Sequence, residues 1–240
     1  MIYAFDIDGV LTDTGYNIDP NFKDWFVDWA HDKHYVLVTG STYERTLEQI
    51  GPEITGGAML VANCMGNSVF QNETTTVLNE FELTEDEIKF FNSKINSSKF
   101  KIRAGNHIVQ RPGSVNFSVV GRDATTEERE EYKRFDHMEQ ERLAIAKEIY
   151  SKFPRFDVFI GGDISIDICL KGCDKSQLMH YIGNFPEYGN GDISFFGDKM
   201  GPYGIDQPLA KLVLNTPGGK VFHVCNGYAE TQDILTLSKR

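Results

Sequence analysis

The chain has 240 residues, of which 40% are hydrophobic and only 8 are proline, so it can bury a sizeable core and disorder is not expected. Its formal charge of −11, from 35 acidic against 24 basic residues, argues against a nucleic-acid-binding face and makes any anion site depend on locally gathered arginine or lysine. No apolar run approaches the roughly 20 residues of a membrane-crossing helix, and Asp6 and Asp8 interrupt the first apolar run where a signal peptide needs continuity, so a cytoplasmic protein with no membrane partner is expected.

In chain order, Ile2–Phe5 reads as a buried strand, and the acidic pair Asp6 and Asp8 begins where that strand should stop and Gly9 should turn the chain. Carboxylates at a strand's C-terminal end point toward the usual ligand crevice of an open α/β sheet. The pattern predicts a short helix over residues 22–29 and a second strand, Tyr35–Val38, ending in Thr39, Gly40 and Ser41. A helix over residues 44–50 closed by Gly51 and a third strand over 59–62 follow. Strands alternating with helices in this way indicate a parallel sheet.

From about residue 73 the texture changes. Residues 72–76 are polar and turn-like, whereas 115–119 and 156–159 alternate polar with apolar side chains, as strands with one covered face do. The predicted division is a catalytic core of residues 1–73 and 173–240 with a second domain, 74–172, inserted into it. Inside the insert, Thr125 and Glu128 have capping-box spacing ahead of one helix with the apolar stripe Tyr132, Phe135, Met138, Ile145 and Ile149, ending before Pro154. The first pattern then resumes: a strand over 193–196 ending in Gly197 and Asp198, a strand over 221–225, and a helix over 230–237. Of the four cysteines, Cys64, Cys169, Cys173 and Cys225, only Cys169 and Cys173 are close in sequence, and reduced thiols are a better reading than a zinc site.

Two aspartates at i and i+2 on a tight turn can lie on one side of the backbone, and Asp198 on a neighbouring strand would complete an oxygen-rich magnesium site. Their mutual repulsion makes most sense around a hard cation. In such a centre Asp6 attacks phosphorus, and Asp8 protonates the departing oxygen and later deprotonates the incoming one. The metal would be held by the side chains of Asp6 and Asp198 and the main-chain carbonyl of Asp8. Thr39 or Ser41 would hydrogen-bond the transferring phosphoryl group, and Lys175 would neutralise its charge. An acidic turn without chemistry is the bland alternative for Asp6 and Asp8 alone; the ordered set of strand-end residues speaks against it.

The segment Asp6-Ile7-Asp8-Gly9-Val10-Leu11-Thr12 resembles the first motif of the haloacid dehalogenase superfamily, Lys175 its third, and Gly197-Asp198-Lys199 its fourth. The insert is similar to the cap of eukaryotic-type phosphomannomutases. Residues 111–122 resemble the segment bearing two phosphate-gripping arginines, here Arg111 and Arg122. Residues 161–167 resemble the strand whose serine and aspartate contact phosphate and sugar hydroxyls, here Ser165 and Asp167. Asp206, after Gly204 and Ile205, matches an aspartate of the metal-binding end that holds metal waters. Asn116 alternates with Val115 and Phe117 and is carried as a substrate-binding candidate, with the polar face of a strand as its ordinary explanation.

The resemblance implies an α/β fold, a Rossmann-like core with a parallel sheet plus an inserted α+β cap with a largely antiparallel sheet. It also implies magnesium as cofactor, a hexose bisphosphate activator if the enzyme is a mutase, a phosphorylated sugar as the small-molecule partner, and a homodimer formed through the cap. One departure bears on function: the mutases carry an arginine seven residues after the second aspartate, and this chain has Gly15 there. Ile205 likewise replaces an asparagine. Three readings follow: a phosphomannomutase-like enzyme interconverting hexose 6- and 1-phosphates, a cap-bearing sugar-phosphate phosphatase, and a catalytically inactive sugar-phosphate-binding protein.

Overall fold

The computed structural model describes residues 1–188 and 191–237. In chain order the strands are β1 (Ile2–Phe5), β2 (Tyr35–Val38), β3 (Val61–Asn63), β4 (Ser68–Gln71), β5 (Thr74–Val77), β6 (Ile108–Arg111), β7 (Ser114–Phe117), β8 (Phe156–Phe159), β9 (Ile166–Leu170), β10 (Ile193–Gly197) and β11 (Lys220–His223). Among the described residues they form a seven-stranded sheet of order β11-β10-β1-β2-β3-β4-β5 and a four-stranded sheet of order β6-β7-β9-β8. The larger sheet is parallel from β11 to β3 and turns antiparallel through β4 and β5, whereas every pairing in the smaller sheet is antiparallel. The architecture is thus a Rossmann-like core with an inserted antiparallel cap.

The central strands are apolar on both sides because both faces of a parallel sheet are covered by helices. Phe5, Leu37 and Phe196 pack on one face with Phe22, Phe26 and Trp29 of helix α1 (Pro20–Ala30). Ala4, Val36 and Phe195 pack on the other, against residues of two later helices. Helices α2 (Tyr43–Ile50) and α3 (Pro52–Gly57) link β2 to β3, and the cap supplies α4 (Glu85–Ser97), α5 (Thr126–Glu139) and α6 (Glu141–Lys152). The core resumes with α7 (Leu178–Ile182), α8 (Gln207–Leu214) and α9 (Gly227–Leu237). Leu178, Ile182, Leu209, Ala210 and Val213 are the buried helical residues covering the second face.

In the cap, the two-residue period of the strands sorts side chains by face. Val115, Phe117, Ile166 and Ile168 join Phe90 and Phe91 of α4, Tyr132 of α5 and Ile149 of α6 in one apolar cluster. Ser114, Asn116 and Asp167 alternate with them and so lie on the opposite face, with Asn116 and Asp167 directly paired in register. That face looks toward the core.

Five expectations shift. The polar stretch 72–76 contains β5, which hydrogen-bonds to β4 in the larger sheet, so the predicted boundary at 73/74 cuts a hairpin of the core and the chain crosses to the cap after Val77. All of β5 is exposed, and an edge strand with no buried face leaves no apolar alternation to read. The single helix predicted after Thr125 is two. Gln140, at φ 53°, breaks it, and the Asp136 carboxylate accepts bonds from the backbone N–H and Nε of Arg142 to start α6. Met138, beside the break, is 82% exposed and does not belong to the apolar stripe. The last helix begins at Gly227 and the third strand is displaced to Val61–Asn63. All four cysteines are free.

Candidate active site

β1 delivers Asp6 to its C-terminal end, still in register with β10 through a bond from Asp6 N to Phe196 O of 2.9 Å. The chain then folds over itself, with Gly9 N donating to Thr12 O at 2.8 Å and Leu11 N to Ile7 O at 2.9 Å. Gly9 has φ +79°, and a Cβ there would lie 2.4 Å from Asp198 Oδ2. The bare turn is what lets the Asp198 carboxylate close on the first motif.

Lys175, fully buried at a 3₁₀ turn before α7, places its Nζ 2.8 Å from Asp6 Oδ1 and 2.7 Å from Asp206 Oδ1. Asp206 Oδ2 accepts the backbone N–H groups of Asp198 (3.1 Å) and Lys199 (3.0 Å), so this carboxylate anchors the loop after β10. Lys199 Nζ is paired with Asp198. Burial, and then Asp206, push Asp6 well above the ordinary carboxylate range; Lys175 opposes them. Burial and Asp206 also raise Asp198, against the pull of Lys199. Burial disfavours the Lys175 ammonium, but Asp206 and Asp6 outweigh it and raise its value.

Carboxylate oxygens of Asp6, Asp198 and Asp206 all lie within 4.8 Å of one another. Three carboxylates outnumber the two ammonium groups of Lys175 and Lys199 in a mostly buried space. An all-oxygen donor set with excess negative charge fits a hard divalent cation such as magnesium. Asp206 has both oxygens engaged by donors, which suits it to orienting the site, while Asp6 and Asp198 are better placed to ligate. The Asp8 carboxylate stands outside this trio: its Oδ1 accepts from Gly15 N at 2.7 Å and from Gln49 Nε2 at 2.9 Å.

Asp6, Asp8, Thr39, Ser41, Lys175 and Asp198 line one pocket of about 620 Å³, together with Arg111, Asn116, Arg122, Ser165 and Asp167 from the cap. Asp206 lies behind Lys175 and does not line it. Thr39 is buried, with its hydroxyl accepting from Ser41 N at 3.1 Å, whereas Ser41 is only half-buried. On the cap wall Arg111 donates to the core carbonyl of Gly40 at 2.8 Å and lies 3.7 Å from Asp167 Oδ1. Asn116 Nδ2 donates to the same carboxylate oxygen at 2.7 Å, and its own Oδ1 is buried without a partner. Burial, then the neighbouring Arg111 and Arg129, lower Arg122 to about 10, so it stays charged at neutral pH. Guanidiniums crowded this way call for an anion between them.

Three pocket residues escape the sequence reading. Arg129 of α5 donates to the carbonyls of Ala124 (2.9 Å) and Arg122 (2.5 Å) and turns its charge into the pocket. Its signal is a cation in the first turn of a helix, where the dipole disfavours it, among glutamates that suit the position. Gln49, buried on α2, ties Asp8 to Thr12 Oγ1. Arg45, one turn earlier, reaches the carbonyl of Gly15 at 3.0 Å. Both read as ordinary polar residues of an amphipathic helix until the loop after Gly9 folds against them.

The sequence profile of the family described as eukaryotic phosphomannomutase matches residues 23–211. The chain belongs to the eukaryotic phosphomannomutase family. Among its relatives, the phosphomannomutase of Arabidopsis thaliana is 31% identical over 218 residues, 87% of this chain and 86% of that one. That of Dendrobium officinale is 30% identical over the same length, covering 84% of the relative. The fold is also that of the C-terminal domain of C. albicans trehalose-6-phosphate phosphatase, with a TM-score of 0.67 at 13% identity, covering 98% of this chain and 90% of that one. Within this family the pocket is a haloacid dehalogenase-type centre for phosphoryl transfer or hydrolysis with a candidate magnesium site. No helix among the described residues is long and apolar enough to cross a membrane.

Proposed function

We propose that the chain is a phosphomannomutase, interconverting mannose 6-phosphate and mannose 1-phosphate through a phosphorylated Asp6. The observation that carries this is the pocket's two-ended charge: Lys175 stands at Asp6 on the core side, and Arg111, Arg122 and Arg129 gather on the cap side. A hexose bisphosphate has one phosphate for each end. The family's curated relatives, named phosphomannomutases along nearly their whole length, support the same reading.

Asp6 attacks phosphorus of the bisphosphate, its P–O bond forms, and the sugar oxygen leaves with a proton from Asp8. The free hydroxyl of a hexose monophosphate then attacks the Asp6 phosphoryl group, breaking the Asp6 P–O bond while Asp8 takes the proton. The bisphosphate so formed turns end for end and returns its other phosphate to Asp6 by the first step, leaving the isomeric monophosphate. Lys175 offsets charge on Asp6 and the phosphoryl oxygens, and Thr39 is placed to donate its hydroxyl to them. Magnesium, when bound by Asp6, Asp198 and the Asp8 carbonyl, would supply further neutralisation of the phosphoryl oxygens. The Asn116 amide oxygen and the Asp167 carboxylate offer acceptors to sugar hydroxyls, and Ser165 lines the same wall. The polar cap face and the rim between cap and core form the expected substrate domain.

Gly15 favours a second reading, a sugar-phosphate phosphatase, because a weaker hold on the sugar would let water reach phospho-Asp6. Incubation with mannose 1-phosphate, magnesium and a trace of hexose bisphosphate separates the two. Mannose 6-phosphate is the expected product; free phosphate alone refutes the mutase.

A further inference from the structure

Three core cations line the pocket: Arg45, Lys175 and Lys199. Two are committed to buried carboxylates, Lys175 to Asp6 and Asp206, and Lys199 to Asp198. Arg45 differs. Its ionic partner is Glu48, one turn along α2 at 3.3 Å, and that glutamate side chain is 70% exposed. An ion pair at the solvent rim contributes little and is readily exchanged for a better anion.

The guanidinium is nonetheless held in place. Thr42 caps α2 and accepts the backbone N–H of Arg45, so the side chain leaves a fixed helical turn. One terminal nitrogen donates to the carbonyl of Gly15 at 3.0 Å. Gly15 is fixed in its turn by donating its own N–H to Asp8 at 2.7 Å. A guanidinium has five N–H donors in a planar fork, and two hydrogen bonds leave most of them for a ligand.

Gly15 explains why the cation comes from the helix. Its φ of +82° disfavours a side chain, and a Cβ there would meet nothing within 4 Å. The loop therefore presents a bare carbonyl beside an open space. Neither Thr14 nor Tyr16, its neighbours on the pocket wall, can supply positive charge. Arg45 fills that electrostatic gap from the other side of the loop.

We propose that Arg45 is a substrate-binding and specificity residue: it grips the phosphorylated hexose at the core rim of the pocket, with the Gly15 carbonyl as its positioning contact. The proposal rests on the sugar-phosphate reading above. It assigns Arg45 to holding the sugar phosphate in place, and leaves the chemistry at phosphorus to Asp6 and Asp8.

The test compares wild type, Arg45→Ala, Arg45→Lys and Glu48→Ala on mannose 1-phosphate and on a small aryl phosphate with no sugar, with melting temperatures as a folding control. Arg45→Ala should raise KM for mannose 1-phosphate about tenfold or more, as loss of a charge-assisted contact does, with a far smaller change on the aryl phosphate. Arg45→Lys should recover part of the loss. Glu48→Ala should leave mannose 1-phosphate binding intact or tighter, since it releases a competing anion. An unchanged KM in Arg45→Ala, equal losses on both substrates, or the same loss in Glu48→Ala overturns the assignment. A wild-type chain that hydrolyses the aryl phosphate but acts on no hexose phosphate overturns the substrate reading itself, and this inference with it.

Discussion

Lys175→Met tests the ionic centre at its least exposed point. The lysine is 0% exposed and its ammonium is shared between Asp6 at 2.8 Å and Asp206 at 2.7 Å. Methionine nearly conserves its volume, so the cavity contribution is small and the change is chiefly electrostatic. Removing one member of a buried ion pair leaves a charge without a partner and costs about 3–5 kcal/mol. Two charge-assisted hydrogen bonds at about 1.5–3 kcal/mol each give a similar figure. Against a total stability on the order of 5–15 kcal/mol, this is a large share.

The pH dependence has a definite sign. Asp6 in the fold lies above the 3.8 of a free carboxyl, so its contribution is complete below 3.8 and is lost as pH rises through the raised value. Lys175 lowers that raised value, so without it the loss extends further and the deficit of the variant widens as pH rises through the wild-type value. Urea unfolding of wild type and variant across a pH series from below 3.8 upward, without metal, reads both quantities. Adding Asp6→Asn to Lys175→Met should return at least about 1 kcal/mol, because it removes one of the stranded charges. A deficit below about 1 kcal/mol at pH 8, or one that shrinks with rising pH, would refute a charged Asp6–Lys175–Asp206 cluster.

Asp6→Asn should abolish phosphoryl transfer while the melting temperature is retained or raised, because burial already disfavours the Asp6 charge; surviving turnover would remove Asp6 as nucleophile. Magnesium should raise the melting temperature of wild type and have less effect on Asp198→Asn, since the carboxylate site would lose a ligand; equal shifts in both proteins would place the metal elsewhere. Arg129→Ala should raise KM for a hexose phosphate about tenfold with little change on an aryl phosphate, as measured by steady-state kinetics. Glu87→Ala removes the carboxylate half of the α4 capping box and the pair with Arg155 and should destabilise the protein by about 1–3 kcal/mol at neutral pH. Burial opposes the Glu87 charge, but Arg155 and Thr84 hold its value low. The stabilisation is therefore present above the free value of 4.5 and fades as pH falls through the lowered one, which acid-range unfolding would show.

The strand-borne part of this protein is legible in its residues alone. Ile2–Phe5 and Tyr35–Val38 are legible because a strand buried on both faces must be continuously apolar, and the polar residues that end them, Asp6, Asp8 and Thr39, stand out for that reason. Alternation marks Val115 and Asn116 as opposite faces of one cap strand for the same geometric reason. Features without a periodic signal emerge only in the folded chain. β5 lies in a sheet edge with all its side chains in solvent, and the Gln140 break is a single backbone torsion. Arg129, Gln49 and Arg45 sit on helical surfaces where polar residues are expected, and the pocket forms only when the cap wall and the loop at Gly15 fold over them. Asp6 and Asp206 are 200 residues apart in a chain whose local pattern carries no distance information, and one buried ammonium joins them.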